Sequence, residues 1–305
     1  MSETVVPRAH SPVDAPSVAP PVTRAAILGW FASGAALMFV VSWLGTGVLR
    51  LQHDLYYLIY FTVVAAFLVA FVVRTGLPWT GIARTRLWWS LGLGAIVGVA
   101  GVTQSVLAMP GTPRPDGVYF VFELLWRGVA YGAVDALILY AFPALVAWAL
   151  LRGRVARVGQ RIGFAALTLV LVAAITATYH LGYAQFRGSD VREPETGAMI
   201  MSIPTVLTAN PAGAVVAHSA VHVAAVVHAY DGHSLLPPDL TTYEPRWPGV
   251  PSVVIALGWL AVTASAYWYL RRHGAHGGHG PARQMSPWTQ AGDQGTGQTG
   301  PGSHG

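Results

Sequence analysis

The sequence predicts an all-α, polytopic membrane helix bundle of about six to eight transmembrane segments, some of them broken or re-entrant. Three observations lead there. Of the 305 residues, 53% are apolar and only 10% charged, the balance of a chain that meets lipid rather than water over much of its length. Uncharged runs of about 20 residues recur, enough to cross a ~30 Å hydrocarbon core at ~1.5 Å per residue. The basic residues, 18 in all and every one an arginine, fall mostly between those runs, where they mark loops. The net charge of +5 is therefore spread out rather than gathered in one block, which argues against a nucleic-acid partner and for the lipid bilayer, with its anionic inner leaflet, as the surface this chain meets. With no cysteine there is no disulfide, thiolate nucleophile or Cys-ligated metal.

Taken in order, residues 1–24 are Pro-rich and polar and read as a disordered lead-in, so the first apolar run acts as a signal anchor rather than a cleavable signal peptide. That run, Ala25 to about Leu49, is the first span; Leu55–Val73 and Leu87–Met109 are the next two, bounded by Arg50, Arg74, Arg84, Arg86 and the "PGTPRPDG" loop. Residues 118–151 are too long for one untilted span and contain Glu123, Arg127, Asp135 and Pro143. They predict two pieces, Val118–Tyr131 and Val134–Leu151, or one helix kinked near Gly132 and Pro143. "RGRVARVGQR" (152–161) is the densest positive cluster and should be cytoplasmic.

Ile162 to about Gln185 is the next span, followed by a polar loop, "FRGSDVREPETG". In residues 199–230, Asn210-Pro211 divides a short apolar piece, expected to be re-entrant, from a longer His-bearing helix. If this stretch enters and returns, the last span, Val250–Leu270, carries Arg271 and Arg272 to the cytoplasmic side. The transmembrane domain is thus 25–271, and 272–305 is a disordered Gly/His-rich tail. A multi-pass protein of the cell membrane follows.

Ionisable groups at membrane depth cost on the order of 2.5–3.5 kcal/mol each, so each needs a reason. They are Glu123, Arg127, Asp135, His180, His218, His222 and His228. Glu123 and Arg127 are four apart and share a helix face: either a self-neutralising ion pair or a carboxylate held ionised beside a water-filled cavity. His218 and His222 repeat the spacing, so two imidazoles can share a ligand, a proton or an oxyanion. His228, near the helix end, reads as interfacial. Asp135, next to the Gly132 break, is expected to serve the backbone or a loose arginine and stays outside the site. Alone each histidine is structural more often than functional; three histidines with a Glu/Arg pair on three segments make a candidate catalytic constellation of Glu123, Arg127, His180, His218 and His222.

At these residues the chain resembles the CPBP family of intramembrane proteases, which includes CAAX prenyl proteases and bacteriocin-processing proteins. Over residues 118–230, "ELLWRG" resembles the second half of that family's EExxxR motif, His180 the histidine of its FxxxH motif, and His218 the histidine of its HxxxN/D motif. Three positions depart: the first motif glutamate falls on Phe122, the Phe of FxxxH on Thr176, and the Asn/Asp of the third motif on His222. The resemblance implies a membrane helix bundle, and hydrolysis of an amide in a membrane-anchored peptide by Glu123 or by Glu123 through His180. His218 and His222 would stabilise the oxyanion or hold a metal. His180, His218 and His222 with Glu123 form an acceptable Zn set. Phe122 cannot move a proton, which leaves open a non-catalytic relative that binds a lipid-linked ligand or partner. Histidines on two spans would also suit haem, and broken helices a transporter, although no internal repeat is visible.

Overall fold

In the computed structural model, the structure describes residues 22–231, 235–238, 254–255, 257–261, 263–265 and 268. The expectations for residues 1–21, for the tail 272–305 and for much of the last span lie outside these residues. Among them there is no strand, as the fold class required, and residues 22–231 hold nine α-helical runs beside two short 3-10 turns: α1 (Arg24–Val48), α2 (His53–Thr75), α3 (Trp79–Arg84), α4 (Leu87–Val106), α5 (Gly117–Leu150), α6 (Val158–Leu181), α7 (Arg192–Met201), α8 (Ile203–Thr208) and α9 (Ala212–His228); the described residues between 254 and 268 are helical too. Helices α1, α2, α4, α5 and α6 are long and apolar enough to cross a membrane, and α9 is a shorter apolar helix. This is a multi-pass membrane helix bundle. Exposed Trp88, Trp89, Ile96 and Val99 line the outside of α4, where they suit lipid rather than water.

The helix ends follow local chemistry. The Thr23 hydroxyl caps α1 by accepting the Ala26 N–H at 3.2 Å, and α2 stops at Gly76, whose φ of 62° places it in the left-handed region. Residues 118–151, expected as two pieces or a kinked rod, form one continuous helical run. It relaxes through two π-helical stretches, Leu124–Ala130 and Leu137–Ala141. The second ends two residues before Pro143, which has no N–H to give to a preceding turn. Such widened turns are frequent at functional sites, and here they flank Asp135.

Two expectations for 186–230 need correction. Half of the polar loop is helical: α7 begins at Arg192, with Glu193 and Glu195 in its first turn, where the helix dipole favours acids. The short apolar piece is also broken at Ser202, ahead of Pro204. Together α7 and α8 reach the level of the α3–α4 turn, where Asn210 Nδ2 donates to the carbonyls of Ala83 (2.8 Å) and Thr85 (2.6 Å). The stretch therefore runs the depth of the bundle and returns as α9, rather than dipping part way. At the turn Ala209 is left-handed (φ 57°) and Asn210 Oδ1 accepts the Ala212 N–H at 2.9 Å.

Helix α9 is wedged between two glycine faces. A Cβ on Gly94 of α4 would meet the Gly213 carbonyl oxygen at 2.3 Å, and one on Gly98 would meet Ala217 Cα at 3.2 Å. On the other side, Gly128 and Gly132 of α5 abut Val223 and Ser219. Small residues at four-residue spacing let helix backbones approach this closely. Helices α4 and α9 run parallel, and α5 runs antiparallel to both.

Alternating the helices sorts the charges. The end of the bundle reached by Arg24, Arg74, Arg84, Arg86 and the cluster Arg152, Arg154, Arg157 and Arg161 carries no acid among the described residues. The opposite end bears Asp116, Asp190, Glu193, Glu195 and Asp231 with Arg50, Arg114, Arg187 and Arg192.

Candidate functional site

Of the seven ionisable residues singled out by sequence, six separate into two groups and His228 stands apart from both. Glu123 and Arg127 pair with each other on α5, as their spacing predicts. The Arg127 guanidinium also binds Asp54 Oδ1 on α2, at 3.0 Å from Nε and 3.0 Å from Nη2. Tyr230 completes the group: its hydroxyl donates to Glu123 Oε2 at 3.1 Å and its ring lies 5.1 Å from the guanidinium carbon. Burial holds the Tyr230 phenol well above its ordinary range, with Arg127 opposing, so the hydroxyl keeps the proton it donates. Asp54 and Glu123 are fully buried and Arg127 nearly so. Asp54 escaped the sequence reading because "HD" immediately before an apolar run reads as a solvated helix start.

The second cluster faces a cavity of about 360 Å³. His218 Nε2 lies 2.9 Å from Asp135 Oδ2 and 2.9 Å from His222 Nε2. The other two edges are held by tyrosines: Tyr60 donates to Asp135 Oδ1 at 2.5 Å, and Tyr140 Oη lies 3.1 Å from His218 Nδ1. One ligand atom from each of Asp135, His218 and His222 lies within 4.8 Å of the others. The expectation that Asp135 stays outside the site is corrected here. The bundle turns it inward, and among the described residues it is the carboxylate that joins the histidines.

His180, at the end of α6, lines the same cavity. Its Nδ1 lies 2.8 Å from the Thr176 carbonyl; a carbonyl only accepts, so the proton sits on Nδ1 and Nε2 keeps a lone pair. Glu123 and Arg127 do not line the cavity, and neither Glu123 nor His180 belongs to the close ligand set. The expected Zn set of His180, His218, His222 and Glu123 is therefore replaced by Asp135, His218 and His222. Phe122, at the position of the resembled family's first glutamate, stacks between Tyr119 and Trp126, each at 6.0 Å between ring centroids. His228 Nε2 bonds the Met109 carbonyl at 3.0 Å, which ties the end of α9 to the loop after α4.

The cavity reaches the acid-bearing end of the bundle. Gln104, Ser105 and Met109 of the α4 terminus and Glu193 and Pro194 of α7 form its outer wall, while Asp135, Tyr140 and His218 lie at its inner end. Leu235 and Pro237 close one side. Tyr230 bonds the first cluster, and the Pro237 carbonyl accepts from Tyr57 Oη (2.9 Å) and His53 Nε2 (3.2 Å).

No protein-family model, no curated protein and no solved structure matches this chain.

Proposed function

We propose that this protein is a membrane-embedded hydrolase, acting on an amide bond of a membrane-associated peptide brought into the cavity walled by Asp135, His180, His218 and His222. The observation that carries the reading is that two unlike groups line one cavity. One is an imidazole whose Nδ1 contact leaves Nε2 free to accept a proton; the other is a tight Asp/His/His cluster suited to binding an oxygen. His180 would take a proton from a water whose oxygen adds to the carbonyl carbon. The resulting oxyanion is held at the His218/His222 side, and the proton passes to the amine as the C–N bond breaks. Such positioned acid–base catalysis contributes typically ~10²–10⁴-fold.

The peptide substrate class is what the likeness to CPBP-type proteases suggests. In this chain the carboxylate of the site would be Asp135 rather than Glu123, which Arg127, Asp54 and Tyr230 occupy. The arginine-rich end belongs on the cytoplasmic side by the positive-inside rule, so in a cell membrane the cavity would open away from the cytoplasm.

Membranes holding wild type, His180→Ala, Asp135→Asn, Glu123→Gln or the control Gly163→Ala, whose added Cβ meets nothing within 4 Å, challenged with a library of membrane-anchored peptides, test the reading. Cleavage by wild type and Gly163→Ala, reduced ~100-fold or more by His180→Ala and Asp135→Asn, is expected. Equal cleavage by all five would remove the site; dependence on Glu123 but not Asp135 would return the reaction to the glutamate that the resemblance implied. A second reading, binding of a lipid-linked ligand without turnover, is favoured by Phe122, which brings no carboxylate. It predicts a ligand that co-purifies with wild type and is released by solvent unaltered.

A further inference from the structure

We infer that Asp135 Oδ2, His218 Nε2 and His222 Nε2 are three ligands of one divalent first-row metal ion of the Zn²⁺ type, with its remaining positions facing the cavity. This deepens the hydrolase reading by naming the cofactor of the same site, and it can be tested without turnover.

The inference rests on counting hydrogens. A neutral imidazole has one N–H. If that of His218 is on Nε2, it serves Asp135 Oδ2 at 2.9 Å, and His222 Nε2, also at 2.9 Å, either shares that one hydrogen or points an N–H of its own at it. If it is on Nδ1, donated to Tyr140 Oη, His222 can give its own Nε2 hydrogen to His218 Nε2, but the ionised Asp135 oxygen then faces that same nitrogen with no hydrogen between them. Even an imidazolium leaves Nε2 with one hydrogen for two neighbours. A cation among the three atoms removes the conflict, because each directs a lone pair at it.

The spacings suit this. Ligands at ~2.0–2.1 Å from a metal are separated by about 2.9 Å at right angles and about 3.4 Å in a tetrahedron. His218 Nε2 stands 2.9 Å from each of the other two atoms, the right-angle value, and the cluster's ligand atoms all lie within 4.8 Å of one another, so the outer pair needs at most a small side-chain rotation to come inside the ~4.2 Å that two ligands of one ion can span.

The outer contacts are also those of a metal centre. His218 Nδ1–H would donate to Tyr140 Oη, fixing the tautomer that leaves Nε2 free, and Tyr60 holds the second oxygen of Asp135. Such partners orient ligands and sharpen affinity. The sequence supplies the framework, since His218 and His222 are four apart on one helix face, the spacing that serves zinc in HExxH helices, while Asp135 comes from the facing helix. Two histidines and one carboxylate leave coordination positions open, here toward Tyr131, Thr176 and His180. Bound there, the ion would lower the pKa of a coordinated water and polarise a carbonyl.

The test uses the full chain, purified in detergent through a tag that binds no metal, stripped with chelator and titrated with Zn²⁺ or Co²⁺. Because His273, His276, His279 and His304 lie in the Gly/His-rich tail, bound metal is read as the difference between wild type and Asp135→Asn or His222→Ala in the same full-length chain. Wild type is expected to retain one equivalent more than either variant, to show a visible Co²⁺ d–d band that they lack, and to unfold at a higher temperature with Zn²⁺ present. Tyr140→Phe should keep the site with affinity 10–100-fold lower. Equal metal content in wild type and both variants overturns the inference. Should the variants fail to fold, a wild type that neither gains thermal stability from Zn²⁺ nor shows the Co²⁺ band overturns it alone. Metal bound without any peptide cleaved would leave the ion in place and remove only the hydrolase reading; cleavage by a metal-free chain would do the reverse.

Discussion

Gly132 is the position at which packing and site chemistry meet, and its substitution gives a quantitative test. A Cβ built there lies 2.9 Å from Ser219 Cα, 3.1 Å from His222 Cβ and 3.3 Å from His222 Cδ2. Carbon atoms settle at about 3.5–4.0 Å, so Gly132→Ala requires α9 to withdraw by about 0.6–1 Å. The nearest contact is backbone, and on its far side α9 is already pressed against α4, where Gly213 meets Gly94. Overpacking of this kind costs about 1–3 kcal/mol, while Gly→Ala in a helix returns about 0.5–1 kcal/mol. Gly163 of α6, with nothing within 4 Å of its added Cβ, supplies that gain alone. Gly132→Ala should therefore be less stable than Gly163→Ala by about 1–3 kcal/mol, read as unfolding of detergent-solubilised protein by circular dichroism. Metal–ligand distances in plausible sites keep within about 0.2 Å of their reference values, so a shift of the helix that carries His218 and His222 should lower Zn²⁺ affinity in Gly132→Ala and leave it unchanged in Gly163→Ala. If the two variants unfold alike and bind Zn²⁺ alike, the account of α9 as a helix held in place by its glycine contacts is wrong.

Three further outcomes follow from the other contacts. Arg127→Met strands the buried carboxylates of Asp54 and Glu123 and should cost about 3–5 kcal/mol in the same unfolding measurement. Adding Asp54→Asn and Glu123→Gln should recover most of that loss; no recovery would show that Arg127 acts through packing rather than charge. Tyr230→Phe removes a hydrogen bond to a carboxylate and should lower stability by about 1.5–3 kcal/mol in the same unfolding measurement. The chain has no cysteine, so single cysteines report orientation directly. In intact cells a membrane-impermeant maleimide should label Ser189→Cys at once and Arg154→Cys only after lysis, and the reverse pattern would place the cavity mouth on the cytoplasmic side.

Much of the fold was legible because a bilayer imposes one-dimensional rules. A span must be about 20 apolar residues and must satisfy its own backbone, and these requirements leave marks along the chain. The long apolar helices, the arginine-bounded turns and the Asn210-Pro211 break were all readable in this way. The i,i+4 pairs Glu123/Arg127 and His218/His222 were readable too, since helix periodicity fixes which side chains share a face. Which faces meet was not readable. Glu123 and His218 seemed parts of one constellation, yet the two π-helical stretches and the glycine contacts bring Asp135, not Glu123, to the histidines. Asp54, 73 residues before Arg127 in the chain, becomes its partner only through the packing of α2 on α5.

What the sequence determined by itself is the apolar setting, the rough limits of the long apolar helices, and the inventory of polar groups that must be reconciled with it. The tertiary structure decided how that inventory is divided into an ion-paired cluster and a cavity cluster. The reason is that hydrophobicity and helical period act along or around a single helix, whereas the meeting of Asp135, His218 and His222 depends on the rotation and closeness of two helices. Those are set by small residues and widened turns whose effect appears only when the partner helix is in place.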